Sequence, residues 1–300
     1  MRVVVTGGTG FIGRRLAARL AEKGCDVVVL SRSGAAAPLP PGVRVVPWQT
    51  GPADWEAEID GAGGVVNLAG ESVAQRWTEE AMRAIEKSRV DGTNRLINAI
   101  AKAKTRPSVL VNASAVGYYG PREDEEVGED APPGADFLAR TCLKWEAAAK
   151  IAEALSVRVV RVRIGVVLAP DGGALAKMLP AFRSFAGGPV GSGEQWMPWI
   201  HRDDLVDLLA FALENEAVTG VLNGAAPNPV RNRDFASALG RALRRPAVVP
   251  APAVAVKLLF GEMATIVLDG QRVVPRRTQA LGFNFRFPDL DAALADLLPR

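Results

Sequence analysis

Residues 1–13 read MRVVVTGGTGFIG, and this stretch decides the fold. Its three consecutive valines predict a buried strand, because continuous β-branched runs are typical of strands covered on both faces. Gly7, Gly10 and Gly13 then follow at regular spacing, and an amphipathic run begins beside them. A strand, a glycine turn and a helix in this order predict the first unit of a dinucleotide-binding fold.

Each position of this turn has an expected role at a bound cofactor. Gly7 lets the chain leave the strand sharply, and Gly10 lets backbone N–H groups approach the pyrophosphate. Gly13 allows the helix to pack close to the sheet, while Phe11 and Ile12 begin the helix whose N-terminus favours phosphate. We therefore predict that these five residues bind the cofactor.

The end of the second predicted strand indicates which dinucleotide binds. Residues 27–30 (VVVL) are followed by Ser31 and Arg32, where a dinucleotide fold usually has a carboxylate that binds the adenine ribose. A carboxylate would repel a 2′-phosphate, whereas a hydroxyl beside a guanidinium binds one. The sequence therefore predicts NADP(H) as cofactor, and the alternative for Arg32 is an ordinary solvated charge.

The composition favours a globular protein of a reducing compartment. The chain has 300 residues, of which 48% are apolar, enough for a large core but too scattered for a membrane span. No signal peptide is recognised, because the first strand begins at Arg2. Cys25 and Cys142 are the only cysteines and do not suggest a disulfide framework. We therefore expect a cytoplasmic protein without a membrane partner.

Charge and histidine content exclude two further classes of ligand. The formal net charge is +3, and basic residues alternate with acidic ones rather than forming a stripe, so nucleic-acid binding is not indicated. His201 is the only histidine, and no Cys/His/Asp spacing typical of a metal site occurs. The expected partner besides the cofactor is a small-molecule substrate that the sequence does not identify.

Strand-like and helix-like runs alternate from the N-terminus to about residue 168. The predicted strands lie at residues 3–5, 27–30, 43–46, 64–68, 108–112 and 157–162. This alternation predicts an α/β fold, a Rossmann-type doubly wound parallel sheet. We assign residues 1–168 to an NADP-binding domain that can exchange segments with the rest of the chain. Residues 169–300 are assigned to a smaller C-terminal substrate lobe, with an extension at about 248–298.

Three further segments have an expected local structure. Thr78 is predicted to cap a long helix that continues with breaks toward Lys104. Residues 117–134 are rich in acids, prolines and glycines, which predicts a surface loop. Leucines and alanines in residues 290–298 repeat at helical spacing and predict a terminal helix.

The sequence resembles the extended short-chain dehydrogenase/reductase family over essentially its whole length. Residues 6–13 match the cofactor turn, and residues 67–70 (NLAG) resemble the fourth-strand Asn-Asn-Ala-Gly element. Residues 112–114 (NAS) resemble the strand end that carries the catalytic serine of the family. Residues 199–205 (WIHRDDL) resemble the start of a helix in the family's substrate domain. The resemblance adds these residues to the expected cofactor site: Leu68, Ala69, Gly70, Arg163 and Gly165.

A closer match is to a subfamily of uncharacterised "epimerase family" proteins. Its marks are GYYG at residues 117–120, FLA-x-x-C-x-x-WE at residues 137–146, and a C-terminal extension. Dimers formed through the long helices are common among such relatives, so the resemblance also implies a homodimer.

One element of the family pattern is missing. Family chemistry uses Tyr-x-x-x-Lys on the helix after the serine, and the lysine lowers the pKa of the tyrosine that transfers the proton. Alignment on Glu146 places Leu138 at the tyrosine position and Cys142 at the lysine position. No tyrosine occurs in residues 136–152, so another group would have to transfer the proton.

Four residues are candidates for that task, and each also has a structural interpretation. Ser114 is either a hydrogen-bond donor to a substrate oxygen or a structural hydroxyl. Tyr118 and Tyr119, the only tyrosines, either reach the substrate or pack the loop. His201 either acts as an acid near neutral pH or ties the two lobes together. Arg89 lies where relatives carry an asparagine and is expected to bring a cation towards the site.

These observations leave two functions open. The first is an NADP(H)-dependent oxidoreductase or epimerase-like enzyme with a non-standard proton donor. The second is a non-catalytic NADP(H)-binding redox sensor or partner-binding scaffold. A conventional nucleotide-sugar epimerase fits less well, because it needs the missing pair.

Overall fold

The strands and helices follow one another as the sequence patterning predicts over most of the chain. The computed structural model describes residues 1–32, 39–48 and 55–299. The strands are β1 (Arg2–Thr6), β2 (Asp26–Ser31), β3 (Arg44–Pro47), β4 (Gly64–Asn67), β5 (Val109–Ala115), β6 (Glu126–Val127), β7 (Arg158–Ile164), β8 (Val166–Ala169), β9 (Trp196–Met197), β10 (Trp199–His201), β11 (Gly220–Gly224), β12 (Val230–Arg231) and β13 (Arg272–Val273).

Helices separate these strands. They are α1 (Phe11–Glu22), α2 (Trp55–Ile59), α3 (Glu79–Lys102), α4 (Phe137–Lys150), α5 (Gly173–Arg183), α6 (Arg202–Glu214), α7 (Asn232–Leu243), α8 (Ala253–Phe260), α9 (Thr265–Leu268), α10 (Arg276–Ala280) and α11 (Leu290–Leu297), with short 3₁₀ turns at Val116–Tyr119, Ile151–Leu155 and Gly261–Ala264. In the described part of the chain, no helix is both long enough and apolar enough to cross a bilayer.

The central sheet of the described residues has seven parallel strands in the order β11-β7-β5-β4-β1-β2-β3. The α/β class and the doubly wound parallel sheet are therefore confirmed. The winding direction reverses between β1 and β4, and such a switch point opens a crevice at the carboxyl ends of the strands. The seventh strand, β11, comes from residues beyond 168, so part of the C-terminal region completes the N-terminal sheet.

The valine runs form strands because both faces of the sheet are covered. Val3 and Val5 of β1 pack into one apolar layer with Leu16 of α1 and Leu205 of α6. Val4 points to the opposite layer, which includes α3 and the end of α4. A strand between two such layers must be apolar at every position, and this explains the absence of polar alternation.

Helix α3 is more regular than expected and ends near the predicted position. Its cap is confirmed, since Thr78 Oγ1 accepts a hydrogen bond from the Ala81 N–H at 3.1 Å. The predicted breaks are absent, and the helix runs unbroken through Gly92 to Lys102. A glycine inside a helix costs about 1 kcal/mol relative to alanine. The buried stripe that includes Ile100 offsets that cost by packing on the sheet.

The prediction that residues 117–134 form an irregular surface loop is partly wrong. Residues 116–119 form a 3₁₀ turn, and β6 pairs in parallel with β13, almost 150 residues later in the chain. Glu129 is buried and its carboxylate accepts hydrogen bonds from the backbone N–H groups of Arg277 and Thr278. The acidic residues and prolines of the segment are exposed as expected, apart from Glu129, but pairing with a distant strand gives part of the segment regular structure.

The C-terminal lobe has its own apolar core. Leu175 of α5, Phe235 of α7 and Leu294 of α11 belong to one buried cluster. The terminal helix is confirmed as α11, and its buried face is the leucine and alanine stripe that predicted it.

Candidate functional site

The glycine turn between β1 and α1 is the first component of the site. Gly7 has a φ of +67°, a conformation that residues with a Cβ rarely adopt, and its carbonyl accepts the N–H of Gly10 at 3.0 Å. A Cβ on Gly13 would lie 2.2 Å from the Gly7 oxygen, so only glycine permits this contact. Gly10 is the N-cap of α1 and provides no capping side chain, and the first turn carries no acidic residue. The turn therefore leaves a helix N-terminus open to an anion.

A cleft of about 970 Å³ begins at this turn and runs over the carboxyl ends of the strands. It extends past the ends of β2 and β4 to one face of α3. Seven of the twelve predicted cofactor residues line it: Gly7, Gly10, Ser31, Arg32, Leu68, Ala69 and Gly70. Its wall also includes residues that no sequence motif marks as cofactor-binding: Thr9, Leu30, Trp48, Glu71, Lys87, Ser88, Asp91, Gly92 and Arg95.

The remaining five predicted cofactor residues lie outside the wall of this cleft. Phe11 packs against Gly172 and Gly173, and Ile12 contacts the core below the sheet. Gly13 lies directly behind the turn. Gly165 donates its N–H to the Gly224 carbonyl at 2.9 Å.

Arg163, the fifth of these, is buried in an ion pair. Its Nε and Nη2 donate to the two carboxylate oxygens of Glu146 at 2.8 and 3.0 Å. Burial alone would lower the pKa of the Arg163 guanidinium, but the hydrogen bonds to Glu146 raise it above its ordinary value. The guanidinium therefore remains a cation inside the protein.

Positive charge gathers at the adenosine end of the cleft. Arg32 is largely exposed, and its Nη1 lies 3.5 Å from the Glu71 carboxylate. Arg95 extends from α3 over the rings of Trp48 and Trp55, at 5.3 and 5.6 Å from their centroids. An aromatic wall beside two guanidinium groups suits a purine and a phosphate.

Ser114 uses its only hydroxyl proton inside the protein. It is 3% exposed, and its Oγ donates to Glu146 Oε1 at 2.7 Å. Glu146 had no expected role beyond marking the alignment, although a charged residue on the buried face of a predicted helix indicates a buried ion pair.

Tyr119 is likewise engaged. Its ring is fully buried, its hydroxyl donates to Asn223 Oδ1 at 2.6 Å, and Arg163 Nη1 donates to the same hydroxyl at 3.0 Å. Burial raises the pKa of Tyr119 to about 12. This phenol therefore keeps its proton near neutral pH.

Tyr118 differs from its neighbour. It is half-buried, and the guanidinium carbon of Arg163 lies 3.4 Å from the centroid of its ring. The Tyr119 ring meets it edge-on at 5.4 Å. The Tyr118 hydroxyl makes no hydrogen bond to any part of the chain that the structure describes.

His201 lies between the sheet and the C-terminal helix. Its Nδ1 accepts the N–H of Asp203 at 3.0 Å, and its ring stacks on Phe287 with centroids 4.0 Å apart. Nε2 lies 3.2 Å from the Asp296 carboxylate and has no hydrogen-bond partner among the described residues. Burial lowers the pKa of His201. These contacts link α6 to α11, and the residue is not in the wall of the cleft.

The positions of the missing catalytic pair hold apolar groups. Leu138 packs against the backbone at Gly117, where a Cβ would be 3.2 Å from its own. Cys142 is 4% exposed, and burial raises the pKa of its thiol to about 11. Neither residue can transfer a proton near neutral pH. Among the described residues, no group of three or more His, Cys, Asp or Glu side chains could hold a metal ion.

Comparisons with known proteins agree with this geometry. Residues 3–223 match the NAD dependent epimerase/dehydratase family, and residues 251–297 match a domain of unknown function, DUF1731. The chain is 46% identical to the Arabidopsis thaliana protein "Epimerase family protein SDR39U1 homolog, chloroplastic" over 99% of this chain and 87% of that protein. It is 43% identical to the Homo sapiens protein "Epimerase family protein SDR39U1", over 99% of this chain and the whole of that protein.

A solved structure is similar over nearly the full length. The crystal structure of human epimerase family protein SDR39U1 (isoform 2) with NADPH has a TM-score of 0.88 and 41% identity, covering 99% of both chains. Family match, identity and fold agree with the resemblance seen in the sequence. This chain therefore belongs to the NAD dependent epimerase/dehydratase family, among the SDR39U1-like proteins with a C-terminal DUF1731 domain.

Proposed function

We propose that this protein is an NADP(H)-dependent oxidoreductase or epimerase-like enzyme for a small-molecule substrate. The observation that carries the proposal is the hydroxyl of Tyr118, which has no partner among the described residues and belongs to a ring held against Arg163. The other three candidates, Ser114, Tyr119 and His201, are occupied by contacts within the protein.

The cleft suits NADP(H) at two points, and a comparison supports the same cofactor. The Gly7–Gly13 turn fits a pyrophosphate because the helix N-terminus attracts negative charge. A Cβ at Gly13 would collide with the Gly7 carbonyl and prevent this tight turn. Ser31 and Arg32 stand at the end of β2, where a 2′-phosphate would lie. A relative with 41% identity was crystallised with NADPH, which supports the same cofactor here. When bound, the nicotinamide supplies or accepts a hydride.

In this proposal Tyr118 passes the proton that accompanies hydride transfer. Its position after β5 places it at the carboxyl edge of the sheet, where ligands of such folds bind. Arg163 fixes the ring, and Glu146 in turn fixes Arg163 with two hydrogen bonds. In this proposal the Glu146–Arg163 ion pair orients the Tyr118 phenol. It takes the place of the lysine that family members carry beside their catalytic tyrosine.

The test compares Tyr118→Phe with the matched control Tyr119→Phe. A panel of carbonyl compounds is first screened with NADPH for loss of absorbance, and the two variants are then assayed on any substrate found. We expect Tyr118→Phe to lower kcat by about a hundredfold or more, the range for a general acid, with unchanged NADPH affinity. Tyr119→Phe should retain turnover. Equal turnover of Tyr118→Phe and the parent protein would refute Tyr118 as the donor.

A second function, a non-catalytic NADP(H)-binding sensor or scaffold, is favoured by one separate observation. The half-buried Leu138 and the buried Cys142 replace the usual pair with groups that do not titrate near neutral pH, and Ser114 cannot donate a second hydrogen bond. Tight NADPH binding without turnover over the whole panel would support this function over the enzyme.

A further inference from the structure

Arg89 adjoins Gly70, a residue of the cleft wall, and also contacts helix α4, but it is not itself among the residues that line the cleft. A Cβ built on Gly70 would be 3.0 Å from the guanidinium carbon, so the group lies directly behind the loop that follows β4. The same carbon is 5.1 Å from the centroid of the Trp145 ring on α4. Arg89 therefore brings a cation from α3 to the helix on which Cys142 takes the lysine position.

Within the described part of the chain, the hydrogen bonds of Arg89 use one of its three side-chain nitrogens. Nη1 donates to the carbonyl oxygens of Glu71 and Ile85, each at 3.0 Å. Nε and Nη2 donate to no group in the described ranges, and no ion pair joins Arg89 to a carboxylate there. Burial lowers the pKa of this guanidinium. A half-buried guanidinium with unused donors favours the binding of an anion or of hydroxyl groups.

The order of the strands indicates which part of the dinucleotide would meet this group. Ser31 and Arg32 at the end of β2 mark the adenosine end, and the glycine turn after β1 marks the pyrophosphate. The next strands in the sheet are β4 and β5. Arg89 donates to the Glu71 carbonyl and lies behind Gly70, so it adjoins the loop after β4, which follows the glycine turn in this order.

We propose that Arg89 binds the nicotinamide-side phosphate and ribose of NADP(H). The proposal rests on NADP(H) being the ligand of the cleft. The guanidinium gives this end of the site a permanent cation, which the thiol of Cys142 cannot. Trp145 holds the guanidinium plane, and the two carbonyl contacts orient it with Nε and Nη2 available for the ligand.

The experiment separates the two halves of the cofactor by comparing two ligands. NADPH contains the nicotinamide-side phosphate and ribose, whereas adenosine 2′,5′-bisphosphate lacks them. Binding of both ligands to Arg89→Met and Arg89→Lys is measured by titration calorimetry. We expect Arg89→Met to weaken NADPH binding by about tenfold to a hundredfold, the range for lost charge-assisted hydrogen bonds, with unchanged affinity for the bisphosphate. Arg89→Lys should restore part of the NADPH affinity.

Matched variants make each outcome decisive. Arg83 lies on the same helix and is exposed in an ion pair with Glu79, so Arg83→Met should change neither affinity. Arg32→Ala should weaken both ligands, because both carry the 2′-phosphate. Equal weakening of both ligands by Arg89→Met, or weakening of neither, would overturn the proposal for Arg89. Failure of the unmodified protein to bind NADPH would overturn the cofactor assignment itself. Should Arg89→Met not fold, Arg89→Lys must still show the selective loss of NADPH affinity.

Discussion

Arg32 is the residue that should distinguish NADPH from NADH. Its side chain is 81% exposed, and its Nη1 lies 3.5 Å from the Glu71 carboxylate. So loose a contact contributes little to stability, and the guanidinium can turn to a phosphate at low cost. We expect Arg32→Ala to weaken NADPH binding by about 1.5–3 kcal/mol, the range for hydrogen bonds to charged groups, with little change for NADH. Fluorescence titration with both cofactors measures this, and an equal loss for the two would rule out a 2′-phosphate contact.

Glu146 holds the most deeply buried charge pair of the site. Its side chain is 5% exposed and that of Arg163 is 4% exposed, so removal of the carboxylate charge leaves a buried cation without its counter-charge. We expect Glu146→Gln to lower the free energy of unfolding by about 3 kcal/mol or more. The control is Lys144→Gln on the same helix, which breaks the exposed pair with Glu86 and should cost at most about 1 kcal/mol. Chemical denaturation of both variants measures the difference, and similar losses would contradict the prediction.

At the scale of elements, helix α6 depends on a histidine as its N-cap. His201 Nδ1 accepts the Asp203 N–H, which only an unprotonated nitrogen can do. Burial lowers the pKa of His201 in the folded protein below the unfolded value of about 6.5. As pH falls, the unfolded chain therefore takes up the proton first. The contribution of His201 to stability is fully present above about pH 6.5 and is lost as pH falls from there through the folded-state pKa.

The variant His201→Asn isolates this contribution, because asparagine also caps helices but does not titrate. Unfolding free energies of the two proteins are compared by denaturant titration at several values between about pH 5 and pH 8. We expect the parent protein to lose stability relative to His201→Asn as the pH falls below about 6.5. A difference that does not change with pH would show that His201 has the same pKa in both states.

The elements that the sequence predicted well are those whose signal is local. The valine runs, the glycine turn and the Thr78 cap each lie within a few consecutive residues, and each was found at its place. By contrast, β6 and β13 are two residues long and exist only through pairing with each other. No local pattern can reveal such a strand.

The same distinction explains the two halves of the site. The adenosine side is built from continuous motifs, so Ser31, Arg32 and the segment 68–70 line the cleft as placed from sequence. The chemistry around Ser114 depends on Glu146, which a helix brings back to the strand from 32 residues away. Whether a hydroxyl is free or already bonded is a property of such contacts, which the sequence does not show.

At the scale of the whole molecule, the C-terminal region and the N-terminal sheet are joined by buried polar contacts. The Glu129 carboxylate accepts the N–H groups of Asn223, Arg277 and Thr278. Arg158 of β7 donates to the carbonyls of residues 212, 213 and 218 at the end of α6 and after it. Because these contacts cross from one region to the other, we expect the chain to unfold as one cooperative unit.

Glu129→Ala tests this coupling. Three backbone N–H groups would lose their acceptor, and a buried unsatisfied donor costs about 1–3 kcal/mol, so we expect a loss of about 3 kcal/mol or more. Glu125→Ala, which removes an exposed pair with Arg122, should cost at most about 1 kcal/mol. Circular dichroism and tryptophan fluorescence should give coincident transitions for the parent protein. Two separate transitions would show that the regions unfold independently.

The late origin of β11 has a consequence for synthesis on the ribosome. Strand β7 (Arg158–Ile164) emerges long before Gly220–Gly224, the segment that covers its outer edge. In the interval the nascent chain presents the edge of β7 with unpaired backbone groups, and such edges recruit other strands. We expect ribosome-bound chains that end between β7 and β11 to be clients of chaperones, and fragments released at that length to aggregate. Because β11 is translated last among the seven strands of the central sheet, its addition is the step that covers this edge and protects the protein from self-association.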